Sequence, residues 1–277
     1  MFQQFRLEVG LQPSWPAPNE HVAAFIAFLS LKGMAPPTIT SYISAVAFVH
    51  KLKGWADPSQ NFIVQKLREG CRRRNQQSDT RRPITLDLLE KICHVTGSIA
   101  KSNLEASLFR AAFVLAFFGF FRVGELTAAS MQTDCSQILG VGDVWFVGHD
   151  QPVMLVRLRY SKTDQQGNSV TLKFCPHTNA QICPVRSVTH YLTLRPPLGH
   201  CLFVHADGTP LTAYQFRHML KKCLEILGVP TSGFSGHSFR IGAATSAALQ
   251  GMSIPDIQSA GRWRSAAVNS YIRPDKV

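Results

Sequence analysis

Acidic residues are scarce in this sequence of 277 residues. It contains 17 Asp and Glu against 29 Lys and Arg, which gives a formal net charge of +12 and a pI near 9.7. This excess argues for a polyanionic partner. The hydrophobic content of 45% excludes a disordered chain, and the length is sufficient for two folded domains. A basic surface without a binding role is the alternative until a site is found.

The sequence also lacks a disulfide framework, a metal motif and a long apolar run. Its seven cysteines are scattered and odd in number, so a reducing, intracellular environment is expected. The Cys and His residues from Cys175 to His205 match no recognised zinc spacing, so no metal is expected. The longest apolar run, Ala111–Phe121, has 11 residues, whereas a bilayer span needs roughly 20. Without a secretory signal at the start, we expect a soluble protein and no membrane partner.

The first 78 residues show helical periodicity. Helices are predicted at Glu20–Lys32, from Pro36 onward and at Asn61–Arg74. The apolar residues expected to pack in the third helix are Phe62, Ile63 and Leu67. These segments predict a small all-helical domain over residues 1–78.

A basic stretch follows at the end of this domain. Its positive residues are Lys66, Arg68, Arg72, Arg73, Arg74, Arg81 and Arg82. Residues 75–79 are polar and typical of a linker between folded units. The stretch is interpreted as a basic strap across DNA phosphates that could also serve as a nuclear import signal. A solvated helix end is the alternative.

Residues 79–277 change from helical to alternating periodicity and back. Two helices are predicted before residue 119 and a third at Val123–Ser130. Strands are predicted at Val144–Val147, Val153–Tyr160 and Val170–Phe174, and a short one at Leu202–His205. Later helices are predicted at Pro184–Leu194, Thr212–Leu227, His237–Leu249 and Pro255–Ser259. The polar face of the Thr212 helix carries the candidate DNA-binding residues Arg217, Lys221 and Lys222. The predicted fold class is therefore mainly α with a small antiparallel β-sheet (α+β).

Residues 236–271 concentrate groups suited to chemistry on a phosphodiester. His237 and Arg240 are three residues apart and share one face of a predicted helix. The indole of Trp263 and the phenol of Tyr271 follow. Each residue alone is compatible with a purely structural role.

Two further candidates lie earlier in the chain. Arg122 follows a predicted buried helix, and a buried arginine is costly without a partner, so Glu125 is expected to pair with it. Lys162 lies beside a predicted hairpin turn, Thr163–Asn168, where it could reach a ligand or remain in water.

Taken in order, these residues resemble the tyrosine recombinase (phage integrase) family. The family pattern of Arg, Lys, His-x-x-Arg, His or Trp, and Tyr is filled by Arg122, Lys162, His237, Arg240, Trp263 and Tyr271. The segments GHSFRIGAATSAA and GRWRS are most similar to recombinases of eukaryotic tyrosine-recombinase (DIRS-like) retrotransposons. The resemblance implies a helical core-binding domain followed by a catalytic domain at residues 79–277.

The chemistry implied is cleavage and rejoining of DNA strands without a metal, ATP or another cofactor. Tyr271 is expected to attack a DNA phosphate and form a 3′-phosphotyrosyl link, with His237 as its proton acceptor. Arg122 and Arg240 are expected to neutralise charge on the nonbridging oxygens. Lys162 is the expected proton donor to the leaving 5′-oxygen.

Supporting roles fall to two more residues. Trp263 is expected to donate its N–H to a phosphate oxygen or to pack the nucleophile segment, and Glu125 to orient basic residues. The expected partners are double-stranded DNA and further copies of the chain, from dimer to tetramer, in the nucleus if the source is a eukaryote. The alternatives are a domesticated DNA-binding protein without catalysis and a topoisomerase IB-like nicking-closing enzyme.

Overall fold

The computed structural model describes residues 1–74, 79–131, 135–150, 152–160 and 169–277. Over these residues the protein is mainly helical with one three-stranded antiparallel sheet, which confirms the predicted fold class. The chain divides into two units, Met1–Asp79 and Thr80–Val277.

The described part of the N-terminal unit contains four α-helices. They are α1 (Phe2–Glu8), α2 (Asn19–Leu31), α3 (Pro36–Leu52) and α4 (Phe62–Arg74). Helix α3 begins at two prolines, whose fixed φ and missing N–H suit a first helical turn. Phe25, Ile26 and Leu29 of α2 are fully buried in the core of this unit. The three predicted helices are confirmed, and α1 was not predicted.

The packing face predicted for α4 is wrong in part. Phe62 and Ile63 are exposed, whereas Val64 and Cys71 are buried and Leu67 packs against the core partly buried. The buried positions 64, 67 and 71 form a single stripe at helical spacing. Phe62 and Ile63 lie off that stripe and therefore remain in solvent.

The second unit combines seven described helices with the sheet. The helices are α5 (Leu86–Ile99), α6 (Asn103–Phe118), α7 (Val123–Leu126), α8 (Pro184–Leu194), α9 (Ala213–Ile226), α10 (His237–Leu249) and α11 (Ile254–Ala260). The strands are β1 (Val144–Val147), β2 (Val153–Leu158) and β3 (Val170–Phe174), in the order β1-β2-β3. The register places Val144 opposite Val156 and Met154 opposite Phe174.

Two predicted elements of this unit are wrong. The helix predicted at Val123–Ser130 ends at Leu126, because Thr127 is extended and Ala128 bonds to the backbone of Leu211. The strand predicted at Leu202–His205 is absent from the described sheet. Val204 of this segment forms an isolated antiparallel bridge with Pro210 instead.

Helix α10 is seated deep in the core of this unit. Phe239 stacks on Phe113 of α6, with ring centroids 5.2 Å apart. A Cβ added at Gly242 would lie 1.8 Å from the carbonyl oxygen of Ile84, so the helix approaches that backbone as only glycine permits. The Ile84 N–H also donates to the carbonyl of Ser238. These contacts fix α10 against α6 and the chain that precedes α5.

Candidate active site

The first site arginine is delivered by the turn between α6 and α7. Gly119 follows α6, and Phe120 adopts a left-handed φ of 49°. Arg122 then precedes α7 and donates to Oε1 of Glu125 at 2.8 Å. Its backbone N–H donates to Oε2 of the same carboxylate at 2.9 Å. The side chain of Arg122 remains 22% exposed, so its guanidinium can still reach a ligand.

The second site arginine is buried one turn into α10. The guanidinium of Arg240 donates to the backbone carbonyls of Phe120 and Gly261. Its carbon Cζ lies 4.2 Å from the ring centroid of Trp263 and 5.7 Å from that of Tyr271. Burial, reinforced by the neighbouring guanidiniums of Arg122 and Arg262, lowers the pKa of Arg240 to about 9. Arg240 therefore stays protonated at neutral pH.

The candidate nucleophile lies against the same guanidinium. Tyr271 is the last residue of a 3₁₀ helix, Ala266–Tyr271. Its ring centroid is 4.9 Å from that of Trp263. The Thr245 hydroxyl on α10 donates to the Tyr271 carbonyl at 3.2 Å and accepts from the Arg273 N–H at 3.0 Å. The backbone from the Tyr271 carbonyl to the Arg273 N–H is thus tied to α10.

Trp263 packs inside the site. It is buried, with its ring at 87° to that of Phe120. A Cβ at Gly261 would lie 1.7 Å from the indole, so a glycine is required there. The Trp263 Nε1 is buried without a hydrogen-bond partner among the described residues. An incoming acceptor such as a phosphate oxygen would satisfy it.

His237 occupies the first position of α10 and is exposed. A Cβ on the preceding Gly236 would lie 2.4 Å from the Val123 side chain, which places the start of α10 directly against α7. His237 therefore stands one turn before Arg240 and beside the turn that carries Arg122. Lys162 and the predicted Thr163–Asn168 turn lie outside the described residues.

Sequence reasoning missed one residue of this cluster. Arg262 has a left-handed φ of 60° and a side chain that is only 8% exposed. It donates to Oε2 of Glu125 at 3.1 Å and to the Gly119 carbonyl at 2.9 Å. Burial lowers the pKa of Arg262, and Glu125 opposes that effect. The segment GRWRS shows arginines on both sides of Trp263, but not which one turns inward.

The basic residues of the N-terminal unit lie on α4. Arg72, Arg73 and Arg74 are exposed in its last turn, where positive side chains also complement the helix dipole. Lys66 is exposed and pairs with Glu69 at 3.0 Å. Arg68 is partly buried. The end of this helix is therefore a strongly positive surface.

The remaining basic candidates belong to the second unit. The Arg82 N–H donates to the Gly233 carbonyl at 2.8 Å, and its guanidinium lies 5.3 Å from the Phe234 ring centroid. The Arg81 carbonyl accepts from Arg273 at 2.8 Å. The structure thus holds the backbone of residues 81 and 82 against the rest of the second unit.

Helix α9 presents a separate basic surface. Arg217, Lys221 and Lys222 are exposed on it, and Nζ of Lys221 lies 3.7 Å from Oε1 of Glu225.

Within the described residues, no three His, Cys, Asp or Glu side chains are grouped as metal ligands would be. None of the described helices combines the length and apolar character that crossing a bilayer requires.

Known proteins are similar to this chain in sequence or in fold. Recombinase cre of Escherichia phage P1 is 24% identical over 276 residues, covering 94% of this chain and 77% of the relative. An integrase/recombinase xerD homolog of Selenomonas ruminantium is also 24% identical, covering 95% of this chain and 75% of the relative. The XerH recombinase bound to palindromic difH in a post-cleavage complex superposes with a TM-score of 0.63 at 16% identity, over 98% of this chain and 71% of that one.

The sequence model of the phage integrase family covers most of the second unit. It matches residues 98–276, the range that contains Arg122, Arg240, Trp263 and Tyr271. The chain belongs to the phage integrase family, the tyrosine-type site-specific recombinases.

Proposed function

We propose that this protein cleaves and rejoins DNA strands through a covalent link between Tyr271 and a 3′-phosphate. The observation that carries the proposal is the position of the phenol, with its ring centroid 5.7 Å from the Arg240 guanidinium carbon and 4.9 Å from the Trp263 ring. A tyrosine beside a buried cation is suited to attack a phosphodiester held by that cation.

The reaction proceeds as an in-line displacement. The Tyr271 oxygen forms a bond to the scissile phosphorus, and the bond from phosphorus to the 5′-oxygen breaks. The phenol, with an ordinary pKa of about 10, gives its proton to His237. The leaving 5′-oxygen takes a proton from Lys162. Resealing runs the same steps in reverse with a 5′-hydroxyl as the nucleophile.

The arginines supply the charge stabilisation. Arg122 and Arg240 contact the nonbridging oxygens and neutralise the negative charge that builds on the pentacoordinate phosphorus. Trp263 donates its unpartnered indole N–H to one of these oxygens. Glu125 touches no DNA and orients Arg122 through the 2.8 Å contact.

Recognition of the duplex is assigned to both units. The helical unit ending at Asp79 binds DNA with the exposed arginines of α4, and the catalytic unit binds it with Arg82 and the basic surface of α9. Similar solved structures support this proposal: XerH is bound to its palindromic difH substrate, and a lambda integrase fragment is bound to DNA. Two to four copies of the chain assemble on the DNA sites that recombine. The sequence segments GRWRS and GHSFR support an origin in a eukaryotic retrotransposon. In that case the basic stretch from Lys66 to Arg82 serves as a nuclear import signal.

The test is covalent trapping. Purified protein is incubated with a pool of nicked suicide duplexes, denatured, and the DNA that stays attached is sequenced. The wild-type chain should form an adduct with a defined sequence, and Tyr271→Phe should form none while its DNA affinity is unchanged. Tyr42→Phe, a change of the same kind in the helical unit, is the control and should behave as wild type.

Two outcomes of the trapping would overturn the proposal, and a strand-exchange assay with a second duplex separates a recombinase from a nicking-closing enzyme. No adduct from the wild-type chain on any duplex would favour a DNA-binding protein without catalysis. An adduct that persists in Tyr271→Phe would assign the nucleophile elsewhere. Adduct formation without exchange between two duplexes would favour a nicking-closing enzyme.

A further inference from the structure

Arg262 lies in the candidate site, but its side chain is almost completely buried and contacts internal groups. Its two terminal nitrogens donate to three internal acceptors: the Gly119 carbonyl at 2.9 Å, the Phe120 carbonyl at 3.3 Å and Glu125 Oε2 at 3.1 Å. Its side chain is 8% exposed, against 22% for Arg122. Because both terminal nitrogens are committed to internal acceptors and the Nε is buried, this guanidinium is not available to hold a phosphate.

Two of the three acceptors of Arg262 also hold the two arginines proposed to bind phosphate. Glu125 uses Oε1 for Arg122 and Oε2 for Arg262. The Phe120 carbonyl accepts from both Arg240 and Arg262. Arg262 is therefore linked to Arg122 through the Glu125 carboxylate and to Arg240 through the Phe120 carbonyl.

The backbone conformation is a second, independent indication that Arg262 holds two turns of the site together. Phe120 and Arg262 both adopt a left-handed φ, 49° and 60°, which side chains other than glycine adopt rarely. The Phe120 turn delivers Arg122 two residues later, and the Arg262 turn delivers Trp263 at the next residue. The Arg262 side chain spans the two turns and ties one to the other. Such backbone conformations persist only where surrounding contacts hold them.

The charges around Glu125 show what loss of the Arg262 side chain would do. With Arg262 present, both oxygens of Glu125 have a cationic partner. Without it, Oε2 keeps only the Arg122 backbone N–H and becomes a competing anion near Arg240, whose pKa Glu125 already influences. A carboxylate drawn toward Arg240 would occupy the guanidinium that the DNA phosphate needs.

We infer that Arg262 is a positioning residue for the proposed strand cleavage: it fixes Glu125 and the Phe120 carbonyl, and through them Arg122 and Arg240. This role rests on the proposed function. It predicts a loss of cleavage rate rather than of DNA affinity, because Arg262 itself meets no DNA.

The experiment compares Arg262→Gln with Arg264→Gln, an exposed arginine two residues along. Cleavage is measured in single turnover with saturating suicide duplex, and affinity separately at equilibrium. We expect Arg262→Gln to slow cleavage about 100-fold, as small misplacements of site groups do. Its Kd should stay within about threefold, since many phosphate contacts share the affinity. Arg264→Gln should keep a cleavage rate within about threefold of wild type.

Two further variants separate positioning from mere stability. Arg262→Lys keeps the charge but not the fork geometry, so it should recover about tenfold of the lost rate. The double variant Glu125→Gln with Arg262→Gln should be no slower than the more impaired single variant, because both changes remove one shared contact. If Arg262→Gln does not fold, Arg262→Lys against Arg264→Lys decides, with only the former expected to be slow.

The inference is overturned if the rates of the two single changes multiply in the double variant, if Kd changes instead of rate, or if the Arg262 variants match their Arg264 controls. A wild-type chain that forms no adduct would instead contradict the proposed function. In that case the role in cleavage falls with the proposed function, and thermal unfolding of the same variants tests only the Arg262–Glu125 contact, which should appear as losses in Tm that are less than additive.

Discussion

The two phosphate-binding arginines proposed for this site reach it by different structural routes. Arg122 precedes the four-residue helix α7, stays partly exposed and is held by the carboxylate of Glu125. Arg240 lies in the 13-residue helix α10, is fully buried and is held by two backbone carbonyls. The position of Arg122 therefore depends on one side chain, whereas that of Arg240 is set by the packing of the fold.

This difference divides the site into two halves. One half, around α7, contains Arg122, Glu125 and Arg262, and its geometry is held by ion pairs. The other half, around α10, contains Arg240 and the Thr245 contact that anchors Tyr271. Damage to the first half should be reparable by conservative substitution. Damage to the second half should affect catalysis and folding together.

Replacing each arginine with lysine tests this division and should produce the largest effect. Arg240→Lys is expected to slow single-turnover cleavage about 1,000-fold, because one ammonium cannot reproduce a guanidinium aimed at the reacting phosphate. It should also cost about 1–3 kcal/mol of folding free energy, since a buried carbonyl loses its donor. Arg122→Lys should slow cleavage only about tenfold, because an ammonium at this partly exposed position can still reach a phosphate oxygen as a point charge. Its stability should be unchanged, because the ammonium can still pair with Glu125.

Single-turnover cleavage and urea unfolding of both variants give the comparison. Equal losses of rate and stability at the two positions would show that the halves are not held differently. A larger loss of stability in Arg122→Lys would reverse the assignment.

Much of this arrangement could be predicted from the sequence, because it depends on local patterns. The periodicity of α2, α3, α9 and α10 and the alternation of the strands predicted the elements and the fold class. The order of Arg122, His237, Arg240, Trp263 and Tyr271 led to the family, and Glu125 was correctly paired with Arg122.

What could not be predicted depends on contacts between distant segments. Nothing local distinguishes Arg262 from Arg264, and the choice is made by a carboxylate 137 residues earlier. The early end of α7 has the same origin, since Ala128 bonds to the backbone at Leu211. The exposed Phe62 and Ile63 show that apolar identity alone does not assign a helix face.

Gly242 offers a way to disturb the α10 half without touching any group of the site. In Gly242→Ala the new methyl would lie 1.8 Å from the Ile84 carbonyl oxygen, so the helix or the Ile84 backbone must move. We expect a loss of about 1–3 kcal/mol in the free energy of unfolding, the usual cost of overpacking. Urea unfolding measures it.

The control is Gly97→Ala on helix α5, where the added Cβ meets nothing within 4 Å. That variant should gain about 0.5–1 kcal/mol, because alanine favours a helix over glycine. A Gly242→Ala protein as stable as the control would mean that α10 is not held by close approach to Ile84.

Thr245→Val tests how tightly α10 holds Tyr271, the proposed nucleophile, and should have the smallest effect. The substitution preserves shape but removes the donor to the Tyr271 carbonyl and the acceptor for the Arg273 N–H. The expected cost is about 1–2 kcal/mol of unfolding free energy, because the Arg273 N–H is left buried without its partner. Cleavage should slow about three- to tenfold through looser placement of the phenol. Thr193→Val, which removes a hydroxyl contact on the exposed face of α8, is the matched control and should change neither quantity measurably. If Thr245→Val loses stability but keeps its full cleavage rate, the 3₁₀ helix positions Tyr271 without α10, and the nucleophile belongs to neither half.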